Sequence, residues 1–419
     1  MPAEKAAGPR EMSWRLVAIV LLPFAAAYFM SVTFRLINAV IAPDLVRELE
    51  LGARDLGFLT ATYFLAFASF QMPLGVLLDR YGARRVQACL ISVAALGAVL
   101  FSLGTDLAAL ALGRGLIGLG VSGALMAGYK QISDWFPLEK APLLYGLVMG
   151  LGSLGALVAT APAQAMVDWV GWRGLLAGLA AVTVAVALSI LLIPPERPPT
   201  GEPPPSLGRQ IGGFGLIFRD ALFWRVAPIT IVCFGAGTSI QGLWAAPWLS
   251  SVAGLDRAAV ADQLFMMALA LAVGSALSGV LAELVRRIGV GLLDVVGAGA
   301  LLFMTAQLGI VLGWVAASPW LWIAFSACYN VVSLSYAALS QHFPGAYSGR
   351  AYTGLNVLAG AGAFAFQFAI GAIIELWPRM PTGGFNPAAF QVAFGAVLAL
   401  QAAAVAWLFM SRARIGVRD

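Results

Sequence analysis

The chain of 419 residues has little charge and few side chains suited to acid–base or metal chemistry. Charged residues make up 11% of it, whereas a soluble domain has about 25%. It contains one histidine, His342, and three cysteines, Cys89, Cys233 and Cys328, which lie in apolar runs without metal-ligand spacing. These shortages exclude an ordinary soluble domain and argue against an enzyme, a metal site or a bound cofactor. The net charge of +5 is spread over short loops, which argues against nucleic-acid binding.

Apolar sequence is what the chain has in abundance. Hydrophobic residues make up 61% of it, and the mean hydropathy is +0.88. They form segments of the length that a helix needs to cross a bilayer, about 20 residues, separated by breaks such as "DRYGARR" and "HFPGAYSGR". We therefore predict an all-α membrane protein with twelve transmembrane helices. The segments are 14–44, 55–78, 86–104, 107–134, 141–167, 173–194, 225–251, 258–284, 290–314, 318–341, 349–377 and 386–410.

Lysine and arginine residues concentrate in alternate loops. If both termini are cytoplasmic, most of the 25 basic residues lie in loops on that side, including Arg80, Arg84 and Arg85 after the second segment. Basic residues favour the cytoplasmic side of a membrane, so we predict that both termini are cytoplasmic. The protein is then a multi-pass protein of the cell (inner) membrane, surrounded by the lipid bilayer.

A proline-rich stretch divides the chain. Residues 195–224 contain "PERPPTGEPPPS" and are predicted to form an extended cytoplasmic linker. It separates an N-terminal six-helix bundle, 1–194, from a C-terminal one, 225–419. An internal repeat with one constant offset predicts that the bundles are pseudo-symmetric, with a binding site at their interface. In this repeat Ser133, Phe136, Pro137, Tyr145, Gly155 and Ala156 correspond to Ser340, Phe343, Pro344, Tyr352, Gly362 and Ala363.

The break after the second segment, "GVLLDRYGARR", carries a recognisable pattern of glycine, Asp-Arg and paired basic residues. With it, and with "GRGLIGLG" in helix 4, the chain resembles the major facilitator superfamily of transporters over nearly its full length. That resemblance implies two six-helix bundles that alternate in opening to the two sides of the membrane. The matching loop positions are Gly75, Leu77, Asp79, Arg80, Gly82, Arg84 and Arg85.

The same resemblance implies a cytoplasmic gate that contains Asp79, Arg80, Arg84 and Arg85. In it, Asp79 stabilises the outward-open state by facing the N-terminus of helix 11, whose dipole favours an anion. Arg350 begins that helix and is a candidate ion-pair partner. Arg114, in the helix 4 signature, is assigned a structural or gating role.

Arg35 is the only charge between Arg15 and Asp44 in the first segment. A guanidinium at membrane depth costs several kcal/mol or more unless it is paired or hydrated, so such a residue indicates a functional site. "FRLINAVIAP" resembles helix 1 of the glycerol-3-phosphate and hexose-phosphate antiporters, in which an arginine eight residues before a proline binds the substrate phosphate. Arg35 and Pro43 have that spacing. Aligning Pro43 with Pro247, however, places Ser239 at the symmetric position in helix 7. One guanidinium suits a monoanion such as a carboxylate.

Polar and aromatic residues on other helices are predicted to complete the substrate site. No Asp or Glu lies near the centre of a predicted helix. A midplane carboxylate is the usual proton carrier in cation-coupled pumps, so such coupling has no evident seat. Besides Arg35, the predicted substrate-binding residues are Tyr63, Gln71, Lys130, Gln241, Trp244 and Asn356.

These features predict a secondary transporter that moves a small organic anion by alternating access. It would act as a symporter or antiporter, with or without a coupling ion, and we expect a monomer. Proton-coupled export of a drug or metabolite is the alternative within the same superfamily. A transporter-like membrane sensor is a further alternative, and it requires a signalling partner.

Overall fold

The computed structural model describes residues 13–195, 215–287, 289–343, 346–381 and 384–411. Nearly all of these residues are helical, and no strand occurs among them. Eleven helices in the described ranges are long and apolar enough to cross a membrane, and Leu143–Val158 is apolar but shorter. The prediction of an all-α membrane protein is confirmed.

In the described residues, the first half of the chain forms six helical units, and the first four follow the predicted segments closely. The fifth ends at Val158 and the sixth begins at Ala161, so residues 161–167, predicted in helix 5, belong to the sixth unit. The predicted break at "VGW" coincides with Gly171, where φ is +72° and the last of these units changes direction. The units are α1 (Trp14–Leu36 and Asn38–Leu49), α2 (Ala53–Tyr81), α3 (Ala83–Leu103), α4 (Leu107–Val121 and Ala124–Trp135), α5 (Ala141–Val158) and α6 (Ala161–Leu192).

The described part of the second half forms six more units. The first begins four residues before its predicted start, because the Asp220 carboxylate accepts from the Phe223 N–H and caps the helix. Most of the predicted linker, 196–214, lies outside the described residues, as do 1–12 and 412–419. The units are α7 (Ala221–Ser239, π-helical Ile240–Trp244 and Ala245–Ser251), α8 (Arg257–Arg287), α9 (Leu292–Val311), α10 (Ser318–Tyr329, 3₁₀-helical Asn330–Ser333 and Leu334–His342), α11 (Ala346–Ile374) and α12 (Pro387–Met410).

Small residues allow these helices to approach closely. A Cβ atom added to Gly118 of α4 would lie 2.2 Å from the carbonyl oxygen of Tyr63 in α2. Similarly, a Cβ atom on Gly57 of α2 would lie 2.6 Å from the carbonyl oxygen of Gln367 in α11. In a bilayer, where water does not drive helices together, such backbone contact is a main source of packing energy. It fixes α2 between the two halves.

The two halves are joined by polar contacts where α1 ends, which we call the Asp44 end. There the Asp44 carboxylate of α1 pairs with Arg257 of α8. The Glu375 carboxylate accepts from the N–H groups of Ala53 (2.5 Å) and Arg54 (3.3 Å) at the start of α2. These contacts close the molecule at this end.

At the opposite end, which we call the Asp79 end, the ion pairs resolved by the structure stay within one half. The Lys130 Nζ atom lies 3.1 Å from the Asp79 Oδ1 atom, and both residues belong to the first half. The His342 Nε2 atom lies 3.1 Å from the Asp220 Oδ2 atom, and both belong to the second half. The polar contacts at the Asp44 end therefore join the two halves, whereas these two ion pairs at the Asp79 end do not.

Candidate functional site

The site is built on a break in α1. The helix is interrupted at Ile37, between its segments Trp14–Leu36 and Asn38–Leu49. Arg114 of α4 reaches this break, where its Nη1 atom donates to the Phe34 carbonyl oxygen at 2.7 Å and its Nη2 atom to the Arg35 carbonyl oxygen at 3.5 Å. Arg114 is only 1% exposed, and its guanidinium carbon lies 4.9 Å from the centre of the Tyr63 ring. These hydrogen bonds from Arg114 thus fix the α1 backbone at Arg35, close to the break.

Arg35 itself is half-buried beside three tyrosine hydroxyls. The side chains of Tyr63 of α2, Tyr28 of α1 and Tyr329 of α10 lie near its guanidinium, and the Tyr63 hydroxyl donates to the Ser31 carbonyl oxygen at 3.4 Å. Among the described residues, no carboxylate pairs with Arg35. A phenol can accept a hydrogen bond from a guanidinium without cancelling its charge. Tyr329 belongs to the second half of the chain, which means that the site spans both halves.

The position that corresponds to Arg35 when Pro43 is aligned with Pro247 has a different role. Ser239 of α7 is fully buried, and its hydroxyl donates to the Ala363 carbonyl oxygen of α11 at 3.2 Å. It therefore ties two helices of the second half together. Of these two corresponding positions, only the one in the first half carries a charge.

Three other predicted substrate ligands are buried in helix contacts. The Gln71 Nε2 atom donates to the Ser122 carbonyl oxygen at 3.1 Å, where α4 is interrupted. Gln241 and Trp244 lie in the π-helical turn of α7, which packs against α1, and they are 5% and 0% exposed. In this conformation they support the Asp44 end of the site. Asn356 of α11 is half-exposed, and its Oδ1 atom accepts from the Tyr336 hydroxyl at 3.4 Å.

The structure brings Lys130, a predicted substrate ligand, to the gate residues. Besides Asp79, it contacts Asp134, whose Oδ1 atom lies 3.8 Å from its Nζ atom. The partner of Asp79 here is thus Lys130. The Arg350 guanidinium, the candidate partner of Asp79 in the outward-open state, lies 5.3 Å from the centre of the Tyr347 ring.

The three loop arginines of the predicted gate lie where α2 meets α3. The Arg80 guanidinium stacks on Tyr81, 5.4 Å from the ring centre. The Arg84 Nε atom donates to the Leu191 carbonyl oxygen at 3.1 Å and so ties α3 to the end of α6. Arg85 lies in the first turn of α3. In this conformation these arginines organise the first half at the Asp79 end.

Sequence reasoning missed Tyr28 and Tyr329. Tyr28 precedes Arg35 by two helical turns and therefore lies on the same face of α1, so its position was available from the sequence. Tyr329 carried no such signal, because its proximity to Arg35 depends on how α10 packs across the interface.

Known proteins resemble this chain in fold and, in part, in sequence. A bacterial homologue of the human lysosomal transporter Spinster, solved in an inward-facing and unoccupied conformation, superposes with a TM-score of 0.78 at 18% identity, over 96% of this chain and 98% of that one. The probable sulfoacetate transporter SauU of Cupriavidus necator is 23% identical over 62% of this chain and 63% of its own length. The multidrug resistance protein Stp of Mycobacterium tuberculosis is 30% identical over 38% of this chain.

This chain matches the two relatives over only part of their own length. The chain spans 30% of Stp and 63% of SauU, and the two relatives are named for different cargoes. A family model decides the classification, because it covers most of the chain. The model of the Major Facilitator Superfamily matches residues 24–366, and the chain belongs to that superfamily.

Proposed function

We propose that this protein is a secondary transporter that carries a small organic anion across the inner membrane by alternating access. The observation that carries the proposal is Arg35, a guanidinium without a carboxylate partner among the described residues, beside tyrosines of both halves. A charge in this setting is costly unless an anion or water compensates it. The name of SauU, a probable sulfoacetate transporter, supports an organic anion as the cargo.

The anion is inferred to carry one negative charge at the group that Arg35 binds. A carboxylate can accept two parallel hydrogen bonds from one guanidinium. A second anionic group would need another cation nearby. The position in α7 that corresponds to Arg35 is Ser239, whose hydroxyl already donates to the Ala363 carbonyl oxygen. Lys130 is held by Asp79 and Asp134. A monocarboxylate therefore fits the charges of the site.

The positive-inside rule assigns the Asp79 end to the cytoplasm. On that assignment, the polar contacts at the Asp44 end close the extracellular side, and the structure corresponds to the inward-facing state. Transport then requires the Asp44–Arg257 pair and the Glu375 contacts to break while the Asp79 end closes. The short apolar helix α5 completes twelve transmembrane units in this proposal.

Binding to the purified protein tests the proposal. The probes are monocarboxylates, phosphate esters and hydrophobic cations, measured by calorimetry with the wild type, Arg35→Gln and the control Arg219→Gln. Arg219 is exposed before α7, so its loss changes the net charge equally. We expect at least one monocarboxylate to bind, and Arg35→Gln to weaken it about tenfold or more, because charge-assisted hydrogen bonds are lost. Binding of hydrophobic cations alone would instead favour the drug-export alternative, which the name of Stp suggests.

A further inference from the structure

Two tyrosine pairs that the internal repeat relates to each other lie between Arg35 and the Asp79 end. Tyr129 of α4 and Tyr145 of α5 have ring centres 4.4 Å apart, with an angle of 49° between the rings. Tyr336 of α10 and Tyr352 of α11 have ring centres 4.5 Å apart, with an angle of 40°. The offset from one pair to the other is the one that relates Ser133 to Ser340. The same geometry therefore occurs once in each half.

Each pair is linked along the helices to a tyrosine beside Arg35. All four rings are half-buried, so part of each ring remains accessible. Tyr28 lies two turns before Arg35 on α1 and packs on Gly152 of α5, two turns beyond Tyr145. In α10, Tyr336 follows Tyr329 by seven residues. A continuous run of phenol groups thus leads from the guanidinium toward the Asp79 end.

Most of these hydroxyls have no protein partner. Within the described ranges, the hydroxyls of Tyr28, Tyr129, Tyr145 and Tyr352 make no hydrogen bond, while Tyr336 donates to Asn356. Each phenol can donate one hydrogen bond and accept others. Such groups are satisfied by water or by a ligand with matching hydroxyls, and ordered water can be displaced without loss only by a ligand that reproduces its hydrogen bonds.

We propose, building on the proposed function, that the two tyrosine pairs form a subsite for the uncharged body of the substrate, and that the substrate is a polyhydroxylated monocarboxylate. Arg35 binds its carboxylate, the phenol hydroxyls bind its hydroxyl groups, and the ring faces pack against its C–H surface. An anion with an apolar body would leave the phenols unpaired. A site built to hydrogen-bond a substrate hydroxyl rejects the analogue that lacks it.

The wild-type protein tests this preference without any substitution. Quinate and cyclohexanecarboxylate share a six-membered ring and one carboxylate and differ in hydroxyl groups, and gluconate and hexanoate form a matched open-chain pair. Calorimetry of the purified protein is expected to give a dissociation constant about tenfold or more lower for the hydroxylated member of at least one pair. Equal or tighter binding of both apolar members, or no binding of either hydroxylated member, overturns the proposal.

Substitutions then locate the subsite. Tyr129→Phe and Tyr352→Phe are each expected to weaken the preferred hydroxylated probe about three- to tenfold, which is the effect of one lost hydrogen bond, and to leave its apolar partner unchanged. Tyr81→Phe, at the exposed end of α2, is the control and is expected to change neither. If the Tyr129 and Tyr352 variants bind both probes as the wild type does, the pairs are helix packing and the subsite is wrong. If binding depends on Arg35 but not on the hydroxyl groups of the probe, the proposed function stands and only this inference is rejected.

Discussion

At the scale of single residues, Arg114 and Arg35, the two arginines within the helices of the first half, are expected to respond oppositely to the loss of their charge. Arg114 is almost fully buried and donates to the Phe34 and Arg35 carbonyls. Arg114→Gln leaves at least one of these groups unpaired, which costs about 1–3 kcal/mol for each. Arg35 has no carboxylate partner among the described residues, so Arg35→Gln removes an uncompensated charge from the membrane interior.

We therefore expect Arg114→Gln to lower the Tm of the purified protein by several degrees, and Arg35→Gln to leave the Tm unchanged or raise it. Thermal unfolding of both variants without ligand measures this directly. Arg173→Gln serves as a control, because Arg173 is partly exposed and pairs with Glu48 at the surface. A fall in Tm for Arg35→Gln as large as that for Arg114→Gln would mean that Arg35 has a structural role.

The sequence predicted that Arg35 is a site residue, but it did not predict the hydrogen-bond partners of Gln71 and Arg114 nearby. The reason is physical. A charged residue within an apolar segment of the sequence is enough to show that its charge is costly in a bilayer. Gln71 and Arg114 bond to carbonyl groups next to helix interruptions, at Ser122 and at Ile37. Ile37 has no glycine or proline beside it, so nothing in the sequence indicates that a carbonyl there becomes available. The Tyr129 and Tyr336 positions, in contrast, follow from the repeat offset.

At the scale of helices, α2 and α11 each carry a carboxylate near one end, and these ends lie on opposite sides of the molecule. Glu375 follows α11 and caps the N-terminus of α2 at Ala53 and Arg54, where the helix dipole favours an anion. Asp79 lies in the last turn of α2, near the Asp79 end, where α11 begins. The resemblance to the superfamily predicted that Asp79 contacts the start of α11 in the opposite conformation. The contact of Glu375 with α2 was outside the sequence prediction, because it depends on how the two helices pack.

Neutralising Glu375 is expected to loosen the Asp44 end. In a background with Cys89, Cys233 and Cys328 replaced by alanine, Gln367→Cys introduces a thiol that is fully buried between α2 and α11. Glu375→Gln should raise its rate of maleimide labelling about fivefold or more, as expected for the loss of about 1 kcal/mol from the closed state. Glu48→Gln is the matched control, because Glu48 bonds Trp172 and Arg173 of its own half. Equal labelling in all three proteins would exclude a latch at Glu375.

At the scale of the whole molecule, the hydropathy pattern determined most of the helix bounds, but it contains no information about which conformation the chain adopts. That choice depends on a few polar contacts at the two ends. The Asp79–Lys130 pair is half-exposed, and such pairs contribute about 0–1 kcal/mol. A carboxylate enclosed at a helix N-terminus contributes up to about 2 kcal/mol. If Asp79 faces α11 in the opposite conformation, it favours that state more than it favours this one.

Asp79→Asn and Lys130→Gln are therefore expected to shift the conformational equilibrium in opposite directions. Asp79→Asn removes the stronger contact and should populate the conformation described here, whereas Lys130→Gln frees Asp79 and should populate the other. Spin labels at Ser133→Cys and Ser340→Cys report the change, since both residues are exposed at the Asp79 end and belong to different halves. We expect the long-distance population to grow in Asp79→Asn and to shrink in Lys130→Gln, by roughly two- to fivefold in the equilibrium constant. A shift of both variants in the same direction would show that Asp79 does not alternate between Lys130 and α11, and that closure of this end depends on other contacts.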